Sequence, residues 1–353
     1  MNKSTINNCS LLDVKSLKTY FPLFKGIVFK KKIGEIKAVD NVSFSIKSGQ
    51  TMGLVGESGC GKTSLGRSIM LLNKAVSGEI LYDGKNILQL KNHQVRSLRK
   101  KIQMIFQDPF GSINPRMTVG DVVGEPLIIH KICQNKRDYQ DQIEVLFEMV
   151  GLNPSMIHRY PNEFSGGQRQ RIVIARALSV QPEFIICDEP VSALDVSIQA
   201  QIINLLEELQ EKFNLTYLFI SHDLSVVRHI SNIIAVMYMG NIIEIADRME
   251  LYENPLHPYT KALLLSVPIP DPLIEMQRNH VMIKGEIASH RQLSSGCKFY
   301  PRCPHGTKRC QTESPVLTPN ISETEEKNVT QHWVACFFNH PLCSTQYRLT
   351  RKV

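Results

Sequence analysis

The stretch GESGCGKTS, Gly56 to Ser64, has the residue types and spacing of a phosphate-binding loop. It matches G-x-x-x-x-G-K-[ST] between an apolar strand pattern and a helical one, which is the context the motif requires. Glycines let successive backbone N–H groups face phosphate oxygens, and the next helix points its positive end there. Lys62 is predicted to neutralise the β- and γ-phosphates and Thr63 to ligate Mg²⁺. The predicted nucleotide-binding residues are Gly56, Ser58, Gly59, Cys60, Gly61, Lys62, Thr63 and Ser64.

Two adjacent acids follow a second apolar run, in the stretch FIICDEP. Acids at the carboxyl end of a parallel strand face the ligand crevice of an α/β sheet. Asp188 is predicted to hold Mg²⁺, and Glu189 to polarise the water that attacks the γ-phosphorus. Without the phosphate-binding loop, such a pair is more often an exposed strand end.

The stretch FSGGQRQRIVIARAL, residues 164–178, resembles the signature sequence of ABC (ATP-binding cassette) ATPases. This resemblance implies that Ser165, Gly166, Gly167 and Gln168 bind the γ-phosphate held by the phosphate-binding loop of a second subunit. Phe164 stands where leucine is commonest, which alters packing and leaves the phosphate-binding residues intact. We therefore expect full activity.

Other ABC elements follow in the family's order. The resemblance implies that Gln107 is the Q-loop glutamine and also ligates Mg²⁺, that SALD carries the D-loop Asp195, and that His222 is the switch histidine. A lone histidine after a strand is more often structural, so the assignment of His222 depends on the presence of all the ABC sequence elements in the family's order. Phe21 is predicted to stack on the adenine, with Tyr20 as the alternative.

The composition limits the classes of protein. The 353 residues carry a formal net charge of +8 and are 42% hydrophobic, ordinary for a folded soluble protein. The sequence contains no apolar run of about 18 residues, the length that could span a bilayer. Its N-terminus, MNKSTINNCSLLDVKS, has no apolar core of signal-peptide length, so we expect that the chain is not exported and that its thiols meet a reducing compartment. Basic runs such as KNHQVRSLRKK attract any phosphate and do not select a partner.

The alternation of patterns predicts an α/β fold, with an ABC ATPase core built on a mixed, mostly parallel sheet. VSFSI and TMGLV read as strands near the N-terminus. EFIIC, TYLFIS and NIIAVMYM read as buried strands, and GEILYDGKNIL as a hairpin turning on Asp83 and Gly84. Residues from about 108 to 178 read as an α-helical subdomain. A proline-rich break suggests a nucleotide-binding domain over residues 1–270 and a small cysteine-rich C-terminal extension over residues 271–353.

Motifs in the C-terminal region indicate which group of ABC ATPases the chain resembles. NPLHPYTKALLLSVPIPDP, KGEIASH, GCKFYPRCP and VAC resemble dipeptide and oligopeptide importer ATPases, a group that includes nickel importers. This implies an ATP-hydrolysing subunit on the cytoplasmic face of the membrane, paired with a second homologous ATPase, two permease subunits and an external solute-binding protein. Nickel or another small solute remains an alternative cargo. The competing class is a soluble ABC ATPase acting on nucleic acid or ribosomes, but no nucleic-acid partner is expected.

Five of the nine cysteines lie in the last 57 residues. Structural zinc usually shows a pair spaced by two to four residues, which is missing here, whereas iron–sulfur clusters accept wider spacings. The importer resemblance implies a [4Fe–4S] cluster on Cys297, Cys303, Cys310 and Cys336. Zinc and free or buried thiols remain alternatives, and disulfides are the weakest. We expect a metal to hold together a tail too short for its own core.

Overall fold

The computed structural model describes residues 10–25, 31–266, 296–320 and 332–338. In chain order the strands are β1 (Ser10–Lys25), β2 (Lys31–Lys47), β3 (Thr51–Val55), β4 (Ser77–Tyr82), β5 (Lys85–Asn86), β6 (Ile102–Ile105), β7 (Phe184–Asp188), β8 (Thr216–Ile220), β9 (Ile233–Tyr238), β10 (Asn241–Asp247), β11 (Thr318–Pro319) and β12 (Trp333–Val334). The helices are α1 (Lys62–Ile69), α2 (Asn92–Lys101), α3 (Pro109–Ser112), α4 (Val119–Ile129), α5 (Lys136–Met149), α6 (Gly166–Leu178), α7 (Val196–Phe213), α8 (Leu224–Ile230), α9 (Arg248–Glu253), α10 (Pro258–Leu265) and α11 (Lys308–Thr312). In this part of the chain no helix has the length and apolar character of a membrane span.

The strands form two sheets. The larger sheet has the order β11-β12-β10-β9-β3-β8-β7-β6, and its neighbours from β9 to β6 are parallel. The smaller sheet is antiparallel, with the order β2-β1-β4-β5. The predicted α/β fold with a mostly parallel central sheet is therefore confirmed.

The central strands are buried on both faces, as their apolar runs predict. In β7, Phe184 and Ile186 belong to the hydrophobic core shared with α1 and the smaller sheet. Ile185 and Cys187 point the other way, into the core built with α4, α5, α6 and α7. The sheet is thus held between a helical layer and an antiparallel sheet.

The helices of the middle segment lie in the range that the sequence predicts. Thr118 caps α4 by accepting from the Asp121 N–H, and Asn135 caps α5 by accepting from the Asp138 N–H. The predicted hairpin turn is also present, because Asp83 and Gly84 both have positive φ. The division at residues 270 and 271 falls outside the described residues and stays a prediction.

A long antiparallel hairpin near the N-terminus is missing from the sequence prediction. The pattern predicts only VSFSI as a strand, whereas β1 and β2 pair from Ser10↔Lys47 out to Lys25↔Lys31. Register shifts interrupt the apolar alternation along β1, and Ser16 adopts a left-handed conformation within it. The outer end is exposed, so its residues carry no buried-strand pattern.

Gly53 of β3 shows how closely α8 packs on the sheet. A Cβ at this position would lie 2.4 Å from Val227 Cγ1 and 2.5 Å from Ser231 Oγ. We expect Gly53→Ala to lower the free energy of unfolding by about 1–3 kcal/mol, because overpacking forces neighbours to move. Urea unfolding would measure the change.

Gly34→Ala is the matched control. At Gly34 a Cβ would meet only Leu23 Cδ1, at 4.0 Å, and we expect a change within about 0.5 kcal/mol. Equal unfolding midpoints for the two variants would contradict the packing argument.

Candidate nucleotide site

The phosphate-binding loop joins β3 to α1 and is pressed between two other strands. Gly56 and Gly61 have φ values of 155° and 112°. A Cβ at Gly56 would lie 2.2 Å from the Met237 carbonyl oxygen, and one at Gly61 would lie 2.0 Å from the Ala38 carbonyl oxygen. Only glycine therefore fits at either position.

Lys62 begins α1 and is buried within the loop. Its ammonium donates to the carbonyl oxygens of Gly56, at 2.7 Å, and Glu57, at 3.0 Å. The charge is thus held inside the loop whose backbone N–H groups would surround a phosphate. The predicted loop residues from Gly56 to Ser64 run from the end of β3 into the first turn of α1, and their binding of phosphate stays a prediction.

Thr63 and Asp188 come together at the carboxyl end of β7. The Thr63 hydroxyl donates to Asp188 Oδ1 at 2.9 Å, and Asp188 is 1% exposed. Burial raises the pKa of Asp188, the charge of Glu189 adds to this, and the Thr63 hydrogen bond opposes it. A hydroxyl beside a buried carboxylate suits the oxygen-ligand chemistry of Mg²⁺, so these residues fit the metal predicted here.

Glu189 is the meeting point of three strand ends. Its carboxylate accepts from Gln107 Nε2 at 2.8 Å and lies 3.3 Å from His222 Nδ1. Gln107 follows β6, Glu189 follows β7 and His222 follows β8, and these strands are neighbours in the sheet. The structure thus brings together three residues that the sequence names separately.

The SGGQ segment starts α6 in the helical layer. The Gln168 N–H donates to Ser165 Oγ at 3.3 Å, and the Ser165 N–H donates to Gln168 Oε1 at 3.0 Å. Gly167 is needed because a Cβ would lie 2.6 Å from Ile198 Cγ2. Ser165 and the nearby Asp195 are exposed. This helix start is open to a ligand carried by another molecule.

Phe21 and Tyr20 differ in their surroundings on β1. The Tyr20 hydroxyl donates to Asp40 Oδ1 at 2.7 Å, and the Lys37 ammonium lies 5.6 Å from its ring centroid. Phe21 is 36% exposed. The engaged ring of Tyr20 leaves Phe21 as the more available stacking surface, and its role with adenine stays a prediction.

In the part of the chain that the structure describes, Cys297, Cys303, Cys310 and Cys336 form no disulfide bond. The Cys297 N–H donates to the Cys310 carbonyl at 2.8 Å, joining two of their segments. The pKa of Cys336 is raised to about 11, chiefly by burial and to a smaller extent by the charges of Cys303, Cys297 and Cys310, against the opposing hydrogen bond from the Phe338 N–H. Over the described ranges, no group of three or more His, Cys, Asp or Glu side chains has the arrangement of a metal-ion site.

Glu57 is a residue of the phosphate-binding loop to which the sequence pattern assigns no role. It lies within the phosphate-binding loop and forms an ion pair with Arg302 of the tail at 2.9 Å. The two residues are 245 positions apart, so local spacing carries no signal for this contact. Both residues lie inside recognised motifs, GESGCGKTS and GCKFYPRCP, in which the pattern gives neither of them a role of its own.

The fold and the site define an ATP-binding cassette ATPase. The chain matches the family model "ABC transporter" over residues 39–192 and "Oligopeptide/dipeptide transporter, C-terminal region" over residues 243–310. It is 52% identical over 331 residues to the oligopeptide transport ATP-binding protein AppF of Bacillus subtilis, covering 94% of this chain and 98% of that protein. It is 46% identical over 333 residues to OppF of Salmonella typhimurium, covering 94% and 97%. The chain therefore belongs to the family of oligopeptide transport ATP-binding proteins.

Solved structures agree on the cassette. Two dimeric structures of the bacterial ABC transporter cassette MJ0796, one in a post-hydrolysis state bound to ADP and Pi, are 27% and 28% identical to this chain. Their TM-scores are 0.60 and 0.59, and each alignment covers 67% of this chain and 98% of that one. The predicted membership of the peptide-importer ATPases and the predicted ATPase class are confirmed.

We expect Asp188→Asn to stabilise the nucleotide-free protein. Folding raises the pKa of Asp188, so the protein loses folding stability as the pH rises above the pKa that this carboxyl has in the unfolded state. Asparagine carries no charge, and the substitution therefore removes this loss near pH 7. The melting temperature should rise by about 2–4 °C, the equivalent of roughly 1 kcal/mol, while the further rise on adding Mg²⁺ with ATP should disappear.

Asp141→Asn is the control for this change, because Asp141 is exposed on α5. It should leave both melting temperatures unchanged. A nucleotide-free Asp188→Asn protein that melts below the parent protein would contradict the argument.

Proposed function

We propose that this chain is the ATP-hydrolysing subunit that powers uptake of dipeptides and oligopeptides through a separate membrane permease. The observation that carries the proposal is the convergence of Gln107 and His222 on Glu189, beside the paired Thr63 and Asp188. The printed names of the relatives, oligopeptide transport ATP-binding proteins, support peptide as the cargo.

At the phosphates, the loop from Gly56 to Ser64 surrounds the β- and γ-phosphates with N–H groups, and Lys62 neutralises their charge. Thr63 and Asp188 hold Mg²⁺, with Gln107 as a further ligand. When bound, Mg²⁺ supplies positive charge where negative charge develops in the transition state. Phe21 stacks on the adenine.

At the γ-phosphorus, Glu189 accepts a proton from the attacking water. Its carboxylate is oriented from both sides, by the Gln107 amide and by the His222 ring. Glu189 also has a φ of 48°, and its N–H donates to the Ile220 carbonyl at 2.9 Å. This backbone position directs the carboxylate into the crevice at the sheet edge.

The exposed Ser165 and the half-buried Gly166, Gly167 and Gln168 bind the γ-phosphate held by a second, homologous ATPase subunit, with the exposed Asp195 at the same interface. The exposed helix start supports this assignment, because α6 offers its free N–H groups to an anion from outside the chain. The two ATPases form a heterodimer on two permease subunits, at the cytoplasmic face of the membrane, and an external binding protein delivers the cargo.

The four tail cysteines hold a [4Fe–4S] cluster in this proposal. The Phe338 N–H donates to Cys336 Sγ at 3.4 Å, and such bonds are one way a protein tunes a cluster. The hydrogen bond from the Cys297 N–H to the Cys310 carbonyl, at 2.8 Å, holds two of the four cysteine segments together and supports this assignment. A single zinc ion needs its sulfur ligands about 2.3 Å from one point, whereas a four-iron cluster separates them more widely.

The cluster is tested by anaerobic purification of the full chain. We expect iron and acid-labile sulfide in equal amounts, about four of each per chain, and a brown protein with broad visible absorption. Cys303→Ser should lose most of the iron, while Cys133→Ser, a change outside the tail, should keep it. Zinc in place of iron, or a colourless protein without sulfide, would overturn the assignment.

The function is tested with the complete transporter in liposomes. Glu189→Gln should keep ATP binding and reduce hydrolysis and peptide uptake by about 10²–10⁴-fold, the usual contribution of a general base. The matching glutamate of the partner ATPase must be changed in the same sample, since a second active site would mask the effect.

Three outcomes would count against parts of this proposal. Hydrolysis at the parent rate in that sample would remove Glu189 from the base role. Uptake of nickel and not of peptides, or ATPase activity stimulated by ribosomes or DNA without the permease, would overturn the peptide proposal.

A further inference from the structure

Glu57 places a negative charge inside a loop that binds anions. It is the second residue of the GESGCGKTS motif, next to Gly56. Its backbone is held on two sides, because its N–H donates to the Tyr259 hydroxyl at 2.9 Å and its carbonyl accepts from Lys62 at 3.0 Å. The position of Glu57 therefore affects the position of the phosphate-binding lysine.

The carboxylate of Glu57 is paired with the tail. Arg302 Nη1 donates to Glu57 Oε2 at 2.9 Å, and Nη2 donates to Oε1 at 3.0 Å. The Arg302 side chain is only 7% exposed, and the hydrogen bond to Glu57 raises its pKa above the ordinary value. A two-pronged contact of this kind fixes direction as well as distance, and removing one partner leaves the other charge unpaired in a buried place.

A cluster of aromatic rings packs beside the buried side chain of Arg302. The ring of Tyr238, at the end of β9, lies 4.7 Å from that of Tyr259 and 5.3 Å from that of Phe299, centroid to centroid. The guanidinium lies 5.9 Å from the Tyr238 ring centroid. A second ion pair joins tail and core at 3.1 Å, between Lys298 and Asp40. The tail segment around Arg302 is thus attached to the back of the phosphate-binding loop.

The geometry points to Arg302 as a positioning residue for ATP binding: it neutralises the Glu57 carboxylate and holds the loop, and through it Lys62, ready for the phosphates. Without Arg302, the Glu57 carboxylate would repel the phosphates of the nucleotide, because little solvent screens charges within the loop. The role rests on the ATPase class alone and is independent of the transported cargo.

The test compares Arg302→Ala, Arg302→Lys, Glu57→Gln and the double variant Arg302→Ala with Glu57→Gln in the full chain. The readouts are the Kd of Mg-ADP, which is not hydrolysed, and the KM and kcat of ATP hydrolysis. We expect Arg302→Ala to weaken ADP binding and raise KM by roughly ten- to hundredfold, within the usual range for coupled sites. The kcat should change by less than about threefold, because the groups at the reacting phosphorus are unaffected.

Rescue separates positioning from a general loss of structure. If the unpaired carboxylate causes the defect, the double variant should bind ADP at least fivefold more tightly than Arg302→Ala. The Kd of Arg302→Lys for Mg-ADP should then lie between those of the parent protein and of Arg302→Ala. If Arg302 only holds the tail folded, removing the Glu57 charge cannot restore ADP binding. The losses of ADP affinity caused by Arg302→Ala and by Glu57→Gln will then be additive in the double variant.

Glu313→Gln is the matched control for Glu57→Gln. It removes the carboxylate of another arginine pair of the tail, in which both side chains are more than half exposed, and exposed pairs contribute little. Its Kd and KM should equal those of the parent. Additive effects of the Arg302 and Glu57 changes, or a loss confined to kcat, would overturn the proposal.

Discussion

Three parallel strands that end at one edge of the sheet are the constraint on which the nucleotide site depends. In the registers of β6, β7 and β8, Ile105 lies beside Cys187, and Asp188 lies beside Ile220. The next residues of each strand are therefore neighbours, although they are distant in the sequence. A shift of one residue in any of these strands would turn its terminal side chain to the other face of the sheet, and Glu189 would lose one of its two partners.

The phosphate-binding loop is subject to a second, independent constraint. Its glycines are usually explained by the approach of the phosphate, yet Gly56 and Gly61 also lie against the carbonyl oxygens of Met237 and Ala38. The loop would need glycine there even without a nucleotide. Packing against β2 and β9 holds the loop in shape before a ligand arrives, so less conformational entropy is lost on binding.

Short-range patterns predict most of this site, and long-range contacts explain what they miss. The buried runs of β7, β8 and β9 and the loop motif are local, so composition and spacing reveal them. The hairpin of β1 and β2 is hidden by its bulges and exposed end, which break the alternation that identifies strands. The pairing of Arg302 with Glu57 joins segments 245 residues apart. Nothing in either segment alone indicates a partner.

The described part of the C-terminal tail is physically an extension of the ATPase. Its strands β11 and β12 continue the larger sheet next to β10, and Phe299 is part of the main hydrophobic core. At the same edge, His332 Nε2 lies 2.7 Å from the buried carboxylate of Glu244 on β10. A segment attached by a sheet edge, a core side chain and a buried polar contact cannot separate without exposing each of them. The folding of the tail and the shape of the phosphate-binding loop are therefore coupled, and Arg302, which precedes Cys303, lies at the point of coupling.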